Sequence, residues 1–138
     1  MKRKASAAWS GGLKDGKGTI STDSGALKDA PYSFAARFEN GAGTNPEELV
    51  AAAHAGCFAM AFSLELGKAG LSPEHISATA TVTIENTSGG FTVTESHLDV
   101  TAKVPGADRA KVAEIAGVAK AGCPISRLLN AKVTMDLK

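Results

Sequence analysis

The chain has 138 residues, 43% of them hydrophobic, and a formal net charge of +1. On ordinary length priors that is one domain with enough apolar material for a core, and the charge leaves no electrostatic footprint for nucleic acid. The expected partner is a small molecule or another protein chain, with no nucleic acid and no membrane. Met1-Lys2-Arg3-Lys4 is basic, but no uninterrupted apolar segment follows it, so no secretory signal is expected and the expected compartment is the cytoplasm. Reducing pools there keep thiols reduced, and a pair of cysteines is more often transient and catalytic than structural.

Short strands are predicted over Lys4 to Ser10, Lys17 to Thr22 and Tyr32 to Phe38, separated by Gly11-Gly12, Asp15-Gly16 and Ser24-Gly25 as turn formers. From Asn45 the pattern becomes helical. Asn45 suits the N-cap, Pro46 the first helical position, and Glu48, three residues on, a capping box. The helix is predicted to end near Gly67 or Lys68, and its interior from Leu49 to Leu66 is apolar on nearly every side, the pattern of a central helix buried all round. Ile76 to Asn86 and Phe91 to Val104 form a predicted long hairpin around Ser88-Gly89-Gly90. Asp108 to Ala121 carries Val112, Ile115, Ala116 and Ala119 at helical spacing, Pro124 starts a short helix through Leu129, and Val133 to Leu137 reads as a last strand. No repeat, low-complexity tract or linker divides residues 1–138, and the order of elements predicts an α+β architecture in a single domain.

The two cysteines lie 66 positions apart. Cys57 sits in Ala55-Gly56-Cys57-Phe58 within the apolar helix, and Cys123 in Gly122-Cys123-Pro124-Ile125-Ser126 at a predicted helix start. A redox or nucleophilic pair is the sharper reading, and space-filling core cysteines the plainer one.

Phe34-Ala35-Ala36-Arg37-Phe38, Gly43-Thr44-Asn45-Pro46-Glu47-Glu48-Leu49, Ala51 to Phe58 and Ala121 to Ser126 together closely resemble the OsmC branch of the OsmC/Ohr family of thiol peroxidases. The resemblance spans nearly the whole chain. It implies a two-layer α+β fold with antiparallel sheets around the long central helix, and an intertwined homodimer. It further implies reduction of organic hydroperoxides in oxidative or osmotic stress defence, with Cys57 matching the peroxidatic cysteine and Cys123 the resolving one. Arg37 is the family match for the cation at the site, and a lipoyl-type dithiol is the reductant the family suggests. The early arginine of the Ohr pattern is missing from Trp9 to Gly18.

Such chemistry is physically coherent. A peroxidase cysteine attacks as thiolate, becomes a sulfenic acid and is trapped by a second thiol. At an ordinary pKa near 8.5 only a few per cent is ionised at neutral pH. Cys57, thirteenth from Asn45, is in mid-helix, where the macrodipole contributes little. A guanidinium at about 4 Å and an effective dielectric near 20 contributes up to about 4 kcal/mol, as much as three pKa units. Arg37 lies between Phe34 and Phe38, and Glu47 offers it a carboxylate that would aim its fork. Glu47 precedes Cys57 by ten residues, about 15 Å along one helix. If both act at one peroxide, Glu47 must come from a second copy of the helix, and small Ala52, Ala55, Gly56 and Ala59 would let two such helices approach.

Phe34, Phe38, Phe58, Met60 and Phe62 surround the cysteine and arginine segments in sequence, so an apolar pocket selective for alkyl or aryl hydroperoxides is expected. His54, one turn before Cys57, would suit a Cys/His nucleophile for acyl chemistry; against that, the sister Ohr branch that this chain also resembles looks to carry tyrosine at the matching place. No metal site is expected, because His54, His75 and His97 have no companion ligands at zinc spacing, and no phosphate-binding glycine motif or other cofactor signature is present. The competing function is a non-enzymatic stress protein or small hydrophobic ligand binder with structural cysteines.

Overall fold

A computed structural model describes residues 1–138, which divide into two compact units, Met1–Leu49 and Val50–Lys138. In the first, β1 (Ala5–Ser10), β2 (Lys17–Thr22) and β3 (Ala30–Tyr32) form an antiparallel sheet in that order. Gly18 lies under the Trp9 and Tyr32 rings, whose centroids are 5.3 Å apart, and a Cβ there would collide with both. Only glycine permits that stacking.

The predicted strand over Tyr32 to Phe38 is corrected. β3 ends at Tyr32, and Phe34–Phe38 forms a short helix, α1. Ser33 caps it, its hydroxyl accepting from the Ala36 N–H at 3.1 Å. Phe34 and Phe38 are four apart, which on a helix puts them on one face, with ring centroids 5.0 Å apart. The local cap and this spacing win over the aromatic, strand-like composition.

Helix α2 (Pro46–Lys68) starts as expected: Asn45 Oδ1 accepts from the Glu48 N–H at 2.7 Å, while the Glu48 carboxylate accepts from the Thr44 hydroxyl at 2.7 Å. Asn45 Nδ2 also donates to the Ala36 carbonyl at 3.0 Å, tying α1 to the head of α2.

The second unit contains the rest of α2, β4 (His75–Thr87), β5 (Gly90–Lys103), α3 (Arg109–Gly122), α4 (Pro124–Leu128) and β6 (Lys132–Leu137). β4 pairs antiparallel with β5, and β6 runs parallel on the other side of β5, Ser96 opposite Val133. The parallel pairing follows from the two helices that carry the chain back before β6. Phe58, Phe62 and Leu66 of α2, one stripe at four-residue spacing, are wholly buried, and they share a core with the buried Leu98 and Val100 of β5 and Val112, Ile115, Ala116 and Ala119 of α3.

The expectation that α2 is buried on every face does not hold within one chain. Ala52, Gly56, Met60, Ser63, Leu64 and Gly67, on the face away from that stripe, are exposed, Met60 at 78% and Leu64 at 60%. The helix is long and apolar enough to cross a bilayer by length and composition, with 22% of that apolar window buried inside the protein, and its Phe58, Phe62 and Leu66 are already used in the core of the second unit.

Candidate active site

Two groups of side chains stand out, one in each unit. In the second, α2 carries Cys57 at mid-length, and the junction of α3 and α4 carries Cys123. Gly122 ends α3, Cys123 closes it by donating its N–H to the Ala119 carbonyl at 2.9 Å, and Pro124 at once opens α4. Held between two helices, Cys123 is wholly buried; Cys57 is partly exposed, and both are free thiols. Cys123 Sγ donates to Cys57 Sγ at 2.8 Å. A disulfide needs a further approach of less than about 1 Å.

Burial pushes the Cys57 thiol above its ordinary value, and the neighbouring Cys123 thiol adds to the rise, while the backbone N–H of Ile125 works against both by hydrogen bonding to the Cys57 sulfur. The pair alone does not make a good thiolate, so a cation must be added for fast chemistry at neutral pH.

The first unit holds the second group, an ion pair. Arg37, in the last turn of α1, grips Glu47 in the first turn of α2: Nη2 donates to Oε1 at 2.8 Å, and Nε donates to Oε1 at 3.1 Å and Oε2 at 3.2 Å. The Glu47 side chain is 11% exposed and that of Arg37 38%. Arg37 is therefore on a helix rather than at a strand end, its guanidinium carbon 5.1 Å from the Phe38 ring centroid. Trp9, Leu13, Tyr32, Ser33, Phe34, Arg37 and Phe38 line a cavity of about 260 Å³.

The expected apolar residues do not all meet there. Phe34 and Phe38 line the cavity. Phe58 is wholly buried in the other unit's core against Phe62, with centroids 5.6 Å apart, and Met60 projects on the exposed face of α2. Both were expected in the pocket because they adjoin Cys57 in sequence. One residue along a helix turns a side chain by about 100°, so adjacency puts them on other faces. Strand pairing brings together Trp9 and Tyr32, and the turn after β1 carries Leu13, so their linear order does not point to this cavity.

His54 is likewise more engaged than its sequence setting suggests. It is wholly buried, with Nδ1 2.6 Å from Ser96 Oγ and Nε2 2.7 Å from Ser126 Oγ, and burial lowers its pKa. The only sequence signal is a histidine among alanines on the Phe58, Phe62, Leu66 stripe.

His97 has no companion ligands at zinc spacing along the chain, but the fold brings two carboxylates near it. Sheet register sets Asp99 beside it and Thr134 and Asp136 across from the pair, with His97 Nε2 3.1 Å from Asp136 Oδ2 and 3.6 Å from Asp99 Oδ1. These three residues could hold a metal ion. Linear spacing misses them because the ligands come from two strands.

Residues 39–138 match a family model described as OsmC-like protein. The chain is 49% identical over 134 residues to Peroxiredoxin OsmC of Escherichia coli, covering 97% of this chain and 94% of that protein. It is 32% identical over 98 residues to an organic hydroperoxide resistance protein of Xanthomonas axonopodis pv. citri, 70% of this chain and 67% of that one. Among solved structures, the organic hydroperoxide resistance protein OhrB of Bacillus subtilis is similar with a TM-score of 0.76 and 29% identity over 98% of each chain. An OsmC-like protein of Vibrio cholerae, 16% identical, shares the fold with a TM-score of 0.77 over 100% of this chain and 99% of that one.

Proposed function

Because the chain belongs to the OsmC-like family, we propose that it is a cysteine-based peroxidase of the cytoplasm that reduces organic hydroperoxides to alcohols. The observation that carries this reading is the pair of free sulfurs, 2.8 Å apart, one partly exposed and one wholly buried. The Cys57 thiolate attacks the terminal oxygen of the hydroperoxide and the O–O bond breaks. The alkoxide leaves and takes a proton, and Cys57 becomes a sulfenic acid. The Cys123 sulfur then attacks the Cys57 sulfur, the S–O bond breaks and water departs with the Cys123 proton, leaving an intrachain disulfide. A dithiol of the lipoyl type returns two electrons and is itself oxidised.

Arg37 and Glu47 complete the site from a second copy of the chain. Ten residues of α2 separate Glu47 from Cys57, about 15 Å of rise, which makes a homodimer part of the mechanism. Two features favour the dimer. The stripe Ala52, Gly56, Met60 and Leu64 is exposed apolar surface in the single chain, and β1 is exposed along all six residues. The Arg37 fork would stabilise the thiolate and the developing alkoxide, while Glu47 keeps it aimed. The aromatic cavity beside Arg37 favours alkyl and aryl hydroperoxides over hydrogen peroxide; two or three buried methylenes are worth roughly 2 kcal/mol, more than tenfold in selectivity.

The test is thiol titration after addition of one equivalent of cumene hydroperoxide. Loss of both thiols with one intrachain disulfide is expected. Retention of both free thiols would favour a non-catalytic binder with structural cysteines.

A further inference from the structure

α4 must deliver two atoms to Cys57, the Cys123 sulfur from its cap and the Ile125 N–H from its first turn. Yet α4 is only five residues long and buries none of them completely; Leu128 is 73% exposed. A helix that short does not hold itself together, and its apolar hold on the core is the partly buried Ile125. A further anchor is polar: Ser126 Oγ meets Nε2 of the wholly buried His54 at 2.7 Å. His54 is in turn fixed from β5 by Ser96 Oγ on Nδ1 at 2.6 Å. On the same stripe of α2, Phe58, Phe62 and Leu66 fill the core with hydrocarbon. A polar chain across three elements in their midst costs desolvation that an apolar side chain would avoid, and it falls one turn from the attacking sulfur.

We propose that His54 is a positioning residue: its Nε2 hydrogen bond to Ser126 clamps the Cys123–Ser126 segment against α2, so that the Cys123 sulfur and the Ile125 N–H stay on Cys57. The clamp rests on the reading of Cys57 as the attacking thiol and adds a residue that touches no reacting atom. It acts twice. Before oxidation, it holds the one donor in this unit that favours the Cys57 thiolate, the other group facing that sulfur being the Cys123 thiol. After oxidation, it sets how quickly Cys123 reaches the sulfenic acid in competition with a second hydroperoxide, which would carry Cys57 to sulfinic acid as that peroxide is reduced to alcohol.

Serine and amide substitutions separate the clamp from simple core stability. Ser126→Ala removes the bond to α4, and Ser96→Ala the bond to β5. In His54→Gln the side-chain amide falls near the place of Nε2 and keeps the Ser126 bond; in His54→Asn it falls near Nδ1 and keeps only the Ser96 bond. Each full-length variant is treated with cumene hydroperoxide, and disulfide formation and the gain of two oxygens are followed by mass. In parallel, iodoacetamide alkylation of Cys57 is measured across pH in the Cys123→Ser background. Ser126→Ala and His54→Asn are expected to slow disulfide formation on the order of tenfold, as loss of one buried hydrogen bond does, to accumulate sulfinic acid, and to move the alkylation profile to higher pH. His54→Gln should stay near wild type, and Ser96→Ala should lower the melting temperature with resolution within about twofold of wild type. Ser126→Ala resolving as fast as wild type with an unmoved alkylation profile overturns the clamp, as do equal effects from Ser96→Ala and Ser126→Ala. If wild type itself forms no disulfide, the peroxidase reading fails, and the alkylation profiles still decide the clamp.

Discussion

At the scale of single residues, the proposed mechanism gives the two cysteines unequal tasks, in keeping with their different surroundings. Cys57 is reachable from outside, and Cys123 is wholly enclosed. Cys57→Ser should abolish peroxide consumption. Cys123→Ser should permit one turnover and leave a sulfenic acid that dimedone traps; the reverse pattern would exchange the roles. His54 gives a stability prediction whose sign follows from its burial. Its folded-state pKa is lowered, so above the unfolded value of about 6.5 the ring is neutral in both states and costs nothing. As pH falls below that value the unfolded chain takes up a proton the folded one refuses, and stability falls until the lower folded pKa is passed, with a limiting slope of about 1.4 kcal/mol per pH unit. Urea unfolding at a series of pH values should show this loss in wild type and a smaller one in His54→Gln.

At the scale of elements, α2 serves three parts of the molecule. Its first turn holds Arg37 through Glu47, one stripe makes the core of the second unit, and the opposite stripe is exposed in the single chain. Asn45→Ala removes both the cap on the Glu48 N–H and the bond to Ala36, and should cost about 1–2 kcal/mol in urea unfolding. Met60→Glu separates the stripes. On a surface facing water it would change stability by less than about 0.5 kcal/mol. Under the proposed pairing of two α2 helices it buries a charge, and sedimentation should show the variant shifting to monomer at concentrations where wild type is dimeric. α1 illustrates a different lesson. Five residues with a β-like composition become a helix because Ser33 caps them and Phe34 and Phe38 stack one turn apart, interactions that reading by alternation does not register.

At the scale of the whole molecule, the first unit has few buried apolar side chains, Ile20 and Ala36 among its 49 residues. So small a core supplies little stability by itself, which accords with a unit that is completed by association. The shared site follows from the same proposal and can be tested without a structure. Cys57→Ser and Glu47→Ala chains, each expected to be inactive, are unfolded and refolded together; part of the activity should return, since a heterodimer carries one intact composite site. Arg37→Lys should remain poorly active, because lysine keeps the charge but loses the fork that holds the carboxylate. A mixture that stays inactive although heterodimers form would return Glu47 to a merely local role at its helix end.

The amino-acid order by itself determined what local chemistry can determine: the start of α2 through Asn45, Pro46 and Glu48, the long hairpin, and the break at Gly122-Cys123-Pro124. Caps, turns and period are properties of neighbouring residues, so they are legible in one dimension. Only the tertiary structure decided which partners meet across the chain. It set Cys123 2.8 Å from Cys57, enclosed His54 between Ser96 and Ser126, gathered Trp9 and Tyr32 with Arg37, and placed Asp136 beside His97. It also turned Met60 away from Phe58. Those contacts depend on strand register and on which helix face finds a core, and both are settled by packing between elements far apart in sequence.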